Sequence, residues 1–348
     1  MQVAVLGTNH TLANLPLREL WIRSLRKVVS SWELPYPVSY ILLITCNRCE
    51  IFFASEDLHH TAERLQYWLQ QEMEQPVAAH SYLFFGKECF HHLAKVASGL
   101  ESAQIGETDV RRQVKQAYEK AKSSQNLSSD LHFLFQKSLK IGKQFLGALH
   151  GIEKQPTLEK VLLEMLLKMD EKRSIFFLGN SQLNRKLIQR LIYKGERDIF
   201  LCSHQHQAPF PQDQVKMLDF TLLSFWQQCD IVVCASDPIH YVINPPATQV
   251  KTRLILDLSV PRCANPALER SHGLPILNME YLNLLLEKNQ LQYQDRITAA
   301  KESVSVCVDR LFATFEKKNL YFRKLWTLPS SRGCSLPLQA CFTTSTHR

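Results

Sequence analysis

The sequence predicts a multidomain fold that combines α+β and α/β architecture and ends in a helical region. In the first half, apolar runs of strand length at Val3–Leu6, Tyr40–Ile44 and Ile51–Ala54 are followed by helical periodicity, which is typical of an α+β domain. From Ser174 onwards, short apolar strands and a helix alternate as in βαβ units, which indicates a parallel sheet. From Met279 the apolar residues recur at helical spacing again.

Domain boundaries are expected where this pattern changes. They define an N-terminal domain at residues 1–150, a second domain at 151–278, a helical region at 279–326 and a polar, disordered tail at 327–348. The periodicity predicts helices at Leu17–Ser30, Ala62–Glu74, Glu88–Ser98, Thr108–Lys122, Leu131–Leu149, Leu158–Met169 and Leu183–Lys194. In the second domain the predicted strands are Ser174–Leu178, Asp198–Cys202, Ile231–Ala235 and Leu254–Val260. The long amphipathic helical region favours an oligomer interface or a strut between domains over a catalytic element.

Length and composition are those of a globular protein that works in a reducing cytoplasm. The 348 residues favour two or three domains, and no apolar run is long enough to span a bilayer. The first residues resemble a buried strand more than a signal peptide, and the ten cysteines show no disulfide spacing. The net charge of +8 gives nucleic acid a slight preference as an anionic partner.

The strongest candidate for a reactive side chain is Cys46, in the segment Thr45-Cys46-Asn47-Arg48-Cys49-Glu50. A polar turn directly after a short apolar strand is a common position for a functional residue. The thiolate is the nucleophilic form of cysteine, and a nearby cation favours it. Arg48 is positioned either to supply that charge or to bind a substrate carboxylate in a bidentate manner.

Three other interpretations of the same segment stay open. Cys46 could be a buried core residue, although its polar neighbours argue against this. Cys46 and Cys49 could form a reversible disulfide, although the following residues predict a strand and not the helix of thioredoxin-like motifs. A zinc site would need further ligands, and no second pair at ligand spacing accompanies this one, so no metal is expected.

Several motifs together resemble the glutamyl-tRNA reductase family in order and in spacing. They are Gly7-Thr8-Asn9-His10, Thr45-Cys46-Asn47-Arg48, the run from His92 to Ser102, Ile105-Gly106-Glu107, and Leu256-Asp257-Leu258-Ser259-Val260-Pro261-Arg262. The resemblance extends from residue 1 to about residue 315, and its specific motifs lie mostly in the first half. It implies a catalytic domain that binds glutamyl-tRNA, a Rossmann-like NADP-binding domain and a C-terminal helical dimerisation region.

The resemblance also implies a reaction. Glutamyl-tRNA(Glu) would be reduced by NADPH to glutamate-1-semialdehyde through a thioester on Cys46, as the first step of tetrapyrrole, porphyrin and haem biosynthesis by the C5 pathway. The implied partners are a second copy of the chain and glutamate-1-semialdehyde aminomutase. Because the nucleophile and the cofactor loop lie on different domains, hydride transfer is expected to involve domain movement.

By the same resemblance, His92 acts as a base or orients the thiol of Cys46. The implied substrate-binding residues are Thr45, Asn47, Arg48, Ser102, Glu107 and Gln113, with Glu107 suited to the substrate ammonium and Arg48 to its carboxylate. The family usually has Pro-Gln where this chain has Thr108-Asp109, so Thr108 and Asp109 are candidates by position only.

The nucleotide-binding loop departs furthest from the expected pattern. The candidate cofactor-binding residues follow a predicted strand, and only the first keeps a glycine of the G-x-G-x-x-G motif: Gly179, Asn180, Ser181, Gln182, Leu183 and Asn184. The next strand ends without an acidic residue, and Ser203 and His204 could meet a 2′-phosphate, which favours NADP over NAD. Two prolines in the segment that follows make a helix there unfavourable, so this domain is expected to be trimmed.

Two further functions are compatible with these residues. The weakened glycine loop would suit a tRNA- or partner-binding protein that kept the fold and lost reductase activity. A glutamyl-thioester hydrolase would form the same intermediate and use water in place of hydride.

Overall fold

The fold is described from a computed structural model, and the description covers residues 1–31, 37–103, 105, 108–148, 157–169, 173–196, 198–204, 210–211, 214–288 and 294–326. The chain divides into one compact unit at Met1–Val308 and a second that begins at Asp309. The first unit contains two separate sheets. It therefore confirms the predicted combination of α+β and α/β architecture.

The first sheet has four antiparallel strands in the order β2-β3-β1-β4. Its strands are β1 (Ala4–Asn9), β2 (Ser39–Ile44), β3 (Arg48–Ala54) and β4 (Tyr82–Phe85). Every residue of β3 is buried because β3 lies between β1 and β2 with helices on both faces. The predicted strands at the start of the chain are confirmed, and β4 was not predicted.

The described residues of this half form the α-helices α1 (Leu15–Ser31), α2 (Leu58–Met73), α3 (Gly86–Ala97), α4 (Thr108–Ser124) and α5 (Ser129–Ala148). Alternate residues of a strand point to opposite faces of its sheet. Cys49, Ile51 and Phe53 accordingly belong to the core formed with α1 and α2. Phe52 faces the other way and meets Phe135 of α5 edge to face, with ring centroids 5.2 Å apart. Glu50 shares that second face, which positions it towards α3.

The second sheet has six parallel strands: β5 (Ile175–Leu178), β6 (Ile199–Cys202), β7 (Lys216–Leu218), β8 (Ile231–Cys234), β9 (Leu254–Asp257) and β10 (Ile276–Asn278). Their order is β10-β9-β8-β5-β6-β7, with all neighbours parallel. Counted from β5 and read from the β7 edge, this order is 3-2-1-4-5-6, that of the Rossmann dinucleotide-binding fold. The Rossmann-like architecture is therefore confirmed.

The remaining helices are α6 (Leu158–Leu167), α7 (Gln182–Tyr193), α8 (Ala267–His272), α9 (Met279–Lys288) and α10 (Gln294–Trp326). Most of the segment in which two prolines predict no helix, residues 205–209 and 212–213 between β6 and β7, lies outside the described residues. The tail at 327–348 lies outside the described residues. Among the described helices, none has the length and apolar character needed to cross a membrane.

Candidate active site

Cys46 lies at the tip of the tight turn between β2 and β3, as the sequence predicts. Thr45 closes this turn, because its backbone N–H donates to the carbonyl of Arg48 at 2.9 Å. The Thr45 hydroxyl oxygen also accepts hydrogen bonds from the backbone N–H groups of Asn47 and Arg48, each at 3.2 Å. Cys46 is half-buried, whereas Cys49 is buried and faces the core, and the two form no disulfide with each other. Burial raises the pKa of the Cys49 thiol, so Cys46 is the better nucleophile of the two.

Asn47 attaches this turn to two distant parts of the chain. Its carbonyl oxygen accepts a hydrogen bond from the backbone N–H of His10 at 2.9 Å. Its side-chain oxygen accepts one from Nδ2 of Asn283, on α9, at 2.8 Å. Both asparagine side chains are buried. The side chain of Asn47 therefore fixes the turn to α9, whereas the sequence predicts that it lines a substrate pocket.

The guanidinium of Arg48 is bonded within the protein, and its predicted contact with a substrate carboxylate stays a prediction. It is only 1 % exposed. Its Nη1 donates to Oε1 of Glu50 at 2.7 Å, and its Nη2 donates to the carbonyl oxygen of Glu101 at 2.5 Å. Burial alone would lower the pKa of Arg48, but the charges of Glu50, Tyr82 and Glu101 and the hydrogen bond to Glu50 together outweigh burial and raise it. Arg48 therefore neutralises a buried acid in this structure.

Glu50 is the centre of this cluster, and the sequence reasoning missed it. Burial disfavours its charge, yet Arg48 and His92 lower its pKa to about 2. Nε2 of His92 lies 2.9 Å from Oε1 of Glu50, and the Tyr82 hydroxyl donates to the same oxygen. An acidic residue that opens an otherwise apolar strand, two positions from an arginine on the same face, was the signal available.

His92 lies on α3 among aromatic side chains. Its ring centroid is 4.9 Å from that of Tyr82 and 5.4 Å from that of Phe84. Because its Nε2 contacts Glu50, the structure brings His92 to the buried cluster, and a role as base at Cys46 stays a prediction.

A second buried cation, Arg18, was also missed. It lies near the start of α1, where the buried residues recur at helical spacing through Leu15, Ile22 and Leu25. A charged residue on the apolar face of a predicted helix was the signal that could have identified it. The next residue, Glu19, accepts hydrogen bonds from the backbone N–H, Nε and Nη2 of Arg262 at 2.6, 2.9 and 2.8 Å.

The nucleotide loop keeps its glycine at the position where the backbone requires one. Gly179 has φ +92°, and a Cβ atom there would lie 2.7 Å from the carbonyl oxygen of Ala235. Ser181 occupies the place of the second glycine at φ −67° and ψ 159°, which any residue adopts. Its Oγ caps α7 by accepting a hydrogen bond from the backbone N–H of Asn184 at 3.1 Å.

Asn184 stands where the third glycine is expected and fills the space between helix and strand. It is fully buried. Its Nδ2 donates to the carbonyl oxygens of Leu178 at 3.1 Å and Gly179 at 2.7 Å. The loop is therefore held by side-chain hydrogen bonds in place of close glycine packing.

One cavity of about 1530 Å³ connects the Cys46 turn with the nucleotide loop. It opens where the carboxyl ends of β5 and β8 diverge, which is the ligand site of this fold class. Of the predicted site residues, its lining contains Thr45, Cys46, Asp109, Gln113, Gly179, Asn180, Ser181, Gln182 and Leu183, together with Ser203 and His204. The predicted residues Asn47, Arg48, His92, Ser102 and Asn184 are described but do not line it.

Basic side chains outnumber acidic ones in the cavity wall, which favours an anionic ligand. The basic residues are Arg26, Arg111, Arg112, Lys120, Lys143 and Lys186, against Asp109, Glu159 and Asp237. Asp109 lies 3.7 Å from Nζ of Lys186 and accepts a hydrogen bond from Nε of Arg112 at 3.4 Å. Glu107 and the side chain of Thr108 lie outside the described residues.

Comparison with known proteins gives a consistent result over most of the chain. Residues 6–146 match the family model described as glutamyl-tRNA(Glu) reductase, N-terminal domain. The glutamyl-tRNA reductase of Chlamydia abortus is 31% identical over 301 residues, which cover 84% of this chain and 84% of that protein. The enzyme of the same name from Chlamydia pneumoniae is 29% identical over 331 residues, covering 92% and 94%.

Among solved structures, the glutamyl-tRNA reductase from Methanopyrus kandleri aligns with 93% of this chain and 82% of its own. The sequence identity of that alignment is 20% and its TM-score is 0.47.

Proposed function

The chain belongs to the glutamyl-tRNA reductase family, and from this premise we propose that it reduces glutamyl-tRNA(Glu) to glutamate-1-semialdehyde with NADPH. This reaction is the first step of tetrapyrrole, porphyrin and haem biosynthesis by the C5 pathway. The observation that carries the proposal is that Cys46 and the nucleotide loop line the same cavity. An acyl group bound to Cys46 and a reductant held by the loop would therefore share one space.

In the first half of the reaction, the thiolate of Cys46 attacks the carbonyl carbon of the glutamyl ester. The bond between this carbonyl carbon and the oxygen of the terminal ribose breaks. The tRNA leaves with that oxygen as its hydroxyl group. A thioester on Cys46 remains. The turn that presents Cys46 is held by Thr45 from within and by Asn283 through Asn47, which favours one orientation of the nucleophile.

The residues around the nucleotide loop fit NADPH. The close approach of Gly179 to Ala235 leaves no room for a side chain, and the adjoining residues Asn180, Ser181 and Gln182 line the cavity. We propose that these residues hold the pyrophosphate and that Ser203 and His204 meet the 2′-phosphate. When bound, NADPH would supply the hydride that reduces the thioester to the aldehyde.

For the aminoacyl group and the tRNA, the cavity offers polar and basic contacts. Gln113 and Asp109 are proposed to contact the glutamyl group, and Arg111, Arg112 and Lys120 the polynucleotide. Ser102 is buried behind this wall, so we propose that it supports the pocket. Glu107 and Thr108 stay predicted substrate contacts. His92 stays a predicted base: its Nε2 donates its proton to the ionised carboxylate of Glu50, so Nδ1 is the nitrogen that would accept a proton.

The proposed partners follow from the same family membership. Helix α10 is proposed to mediate a homodimer, and glutamate-1-semialdehyde aminomutase is proposed to receive the reactive aldehyde.

An assay of the purified chain with glutamyl-tRNA and NADPH tests the proposal. We expect semialdehyde formation and an equal consumption of NADPH. Cys46→Ser should abolish both, whereas Cys307→Ser, at the other half-buried thiol that the structure describes, should retain activity. Free glutamate without NADPH consumption would indicate a hydrolase, and tRNA binding without turnover would indicate a binding protein. Either result would contradict the proposal.

A further inference from the structure

The guanidinium of Arg18 is buried without a bonded carboxylate. Arg18 is 1 % exposed, and its Nη1 donates to the carbonyl oxygen of Ala13 at 2.7 Å. Its Nε and Nη2 have no hydrogen-bond partner among the residues that the structure describes. A buried cation with two unused donors is costly unless a negative charge nearby offsets its desolvation.

The acidic residues near Arg18 offset its charge only in part, because one is bonded to another arginine and the other is partly exposed to solvent. Glu19, its neighbour on α1, is bonded through both carboxylate oxygens to Arg262. Glu280, on α9, is half-buried and therefore screened by solvent. Burial lowers the pKa of Arg18 below its ordinary value, and Cys46, when ionised, would oppose this shift more strongly than Glu280 or Glu19.

Arg18 also lies close to the structure that holds the Cys46 turn. Its Nη1 is bonded to the carbonyl of Ala13, whose backbone N–H is bonded to the carbonyl of Asn9, and the backbone N–H of the next residue, His10, is bonded to the carbonyl of Asn47. The other arginine near the turn, Arg48, is paired with Glu50 at 2.7 Å, so the two charges largely cancel at a distance. Arg18 is thus the buried cation whose field remains available to the sulfur of Cys46.

We propose that Arg18 is a positioning residue for the nucleophile, whose buried positive charge maintains Cys46 as a thiolate. This inference rests on the proposed role of Cys46 and deepens it. Each group would stabilise the charge of the other, because a thiolate offsets the desolvation of the buried guanidinium and the guanidinium favours the ionised form of the thiol.

Several ionisable groups surround the turn. The groups are His10 after β1, Arg18, Glu19 and Arg26 on α1, Arg48 and Glu50 on β3, Glu101 after α3, Asp109 and Arg112 on α4, Arg262 after β9, and Glu280 and Glu287 on α9. Burial lowers the pKa of His10 to about 4, so His10 stays neutral through the range in which a thiol titrates. The variants below change none of these groups except Arg18, and they leave His92, which contacts Glu50, unchanged.

Alkylation of Cys46 by iodoacetamide measures the thiolate directly. The full chain is alkylated across a range of pH, and the Cys46 peptide is quantified by mass spectrometry. In Arg18→Met, which removes the charge and keeps an apolar chain, we expect alkylation at pH 7 to slow about tenfold or more and its pH midpoint to rise. Arg18→Lys should restore most of the rate. Arg23→Met, an exposed arginine of the same helix, should match the wild type.

Wild-type protein unfolded in urea provides a reference for the pH midpoint of Cys46 alkylation. This comparison does not require any variant to fold. We expect the midpoint of the folded wild type to lie below that of the unfolded chain. Equal midpoints, or an unchanged profile in folded Arg18→Met, would overturn the inference. Because alkylation requires neither glutamyl-tRNA nor NADPH, this outcome is distinct from a failed reductase assay.

Discussion

Gly179 is a residue at which backbone conformation and steric contact can be separated by experiment. Gly179 and Gly195 have nearly the same positive φ, +92° and +91°, but a Cβ at Gly195 would meet nothing within 4 Å. Gly195→Ala should therefore reduce the free energy of unfolding by only about 1 kcal/mol. Gly179→Ala should cost at least about twice as much and weaken NADPH binding, because its Cβ would meet the Ala235 carbonyl. Urea unfolding and NADPH fluorescence titration measure both, and equal losses in the two variants would contradict the steric argument.

Because Glu50 is buried as a carboxylate, the free energy of unfolding should decrease at acidic pH. Its pKa in the folded protein is about 2, below the ordinary carboxyl value of 4.5, so its stabilisation is complete above about pH 5 and is lost as the pH falls towards 2. Glu50→Gln should be less stable by roughly 3 kcal/mol or more at pH 7, because Arg48 loses its charge partner. The difference in free energy of unfolding between the wild type and Glu50→Gln should decrease by about 2 kcal/mol as the pH falls from 5 to 3.

Asp237→Asn is the matched control for this experiment. Asp237 also binds an arginine, in its case through both carboxylate oxygens, but its pair with Arg26 is exposed. Its effect on the free energy of unfolding should be below about 1 kcal/mol. A gap between wild type and Glu50→Gln that stays constant as the pH falls would show that Glu50 does not titrate in this way.

At the scale of secondary-structure elements, α9 is a support for the nucleophile that comes from a distant part of the chain. In Asn283→Ala the side chain of Asn47 loses its buried donor, so we expect kcat to fall about tenfold with little change in KM. Leu284→Ala, at an exposed position of the same helix, is the control and should leave both constants unchanged. Steady-state kinetics with glutamyl-tRNA would count against this role of α9 if the two variants behaved alike.

The elements that the sequence did not predict share a physical property. The strands β4, β7 and β10 each lie at an edge of a sheet, and most of their residues are only half-buried. An edge strand of three or four residues needs no long apolar run, so its pattern is weak. The central strands, by contrast, are fully buried apolar runs and were predicted within a few residues.

The site was predictable to the extent that it depends on local sequence. Cys46 and the loop from Gly179 to Leu183 reach the cavity because each follows directly from the end of a strand. The partners of Asn47 and Arg48 could not be read from the sequence, because they are 236 and 53 residues away along the chain. Glu50 is near in sequence, but its importance follows from burial, which only the fold reveals.

At the scale of the whole molecule, the shared cavity predicts that cofactor and nucleophile affect each other. Saturating NADPH should slow the alkylation of Cys46 severalfold by occupying the space in front of it. Cys307, on α10, does not line the cavity and serves as the internal control. If NADPH binds, as measured by fluorescence, and the alkylation rate of Cys46 is unchanged, the two sites do not share a space in solution.

The loop after β5 also matters for how such domains are found in genomes. Ser181 adopts a backbone conformation open to any residue, and Asn184 replaces glycine packing with two hydrogen bonds. Only Gly179 is dictated by geometry. A search that demands all three glycines would therefore pass over this chain and others like it. Strand order together with a single glycine at positive φ is the more general criterion for recognising divergent dinucleotide-binding domains.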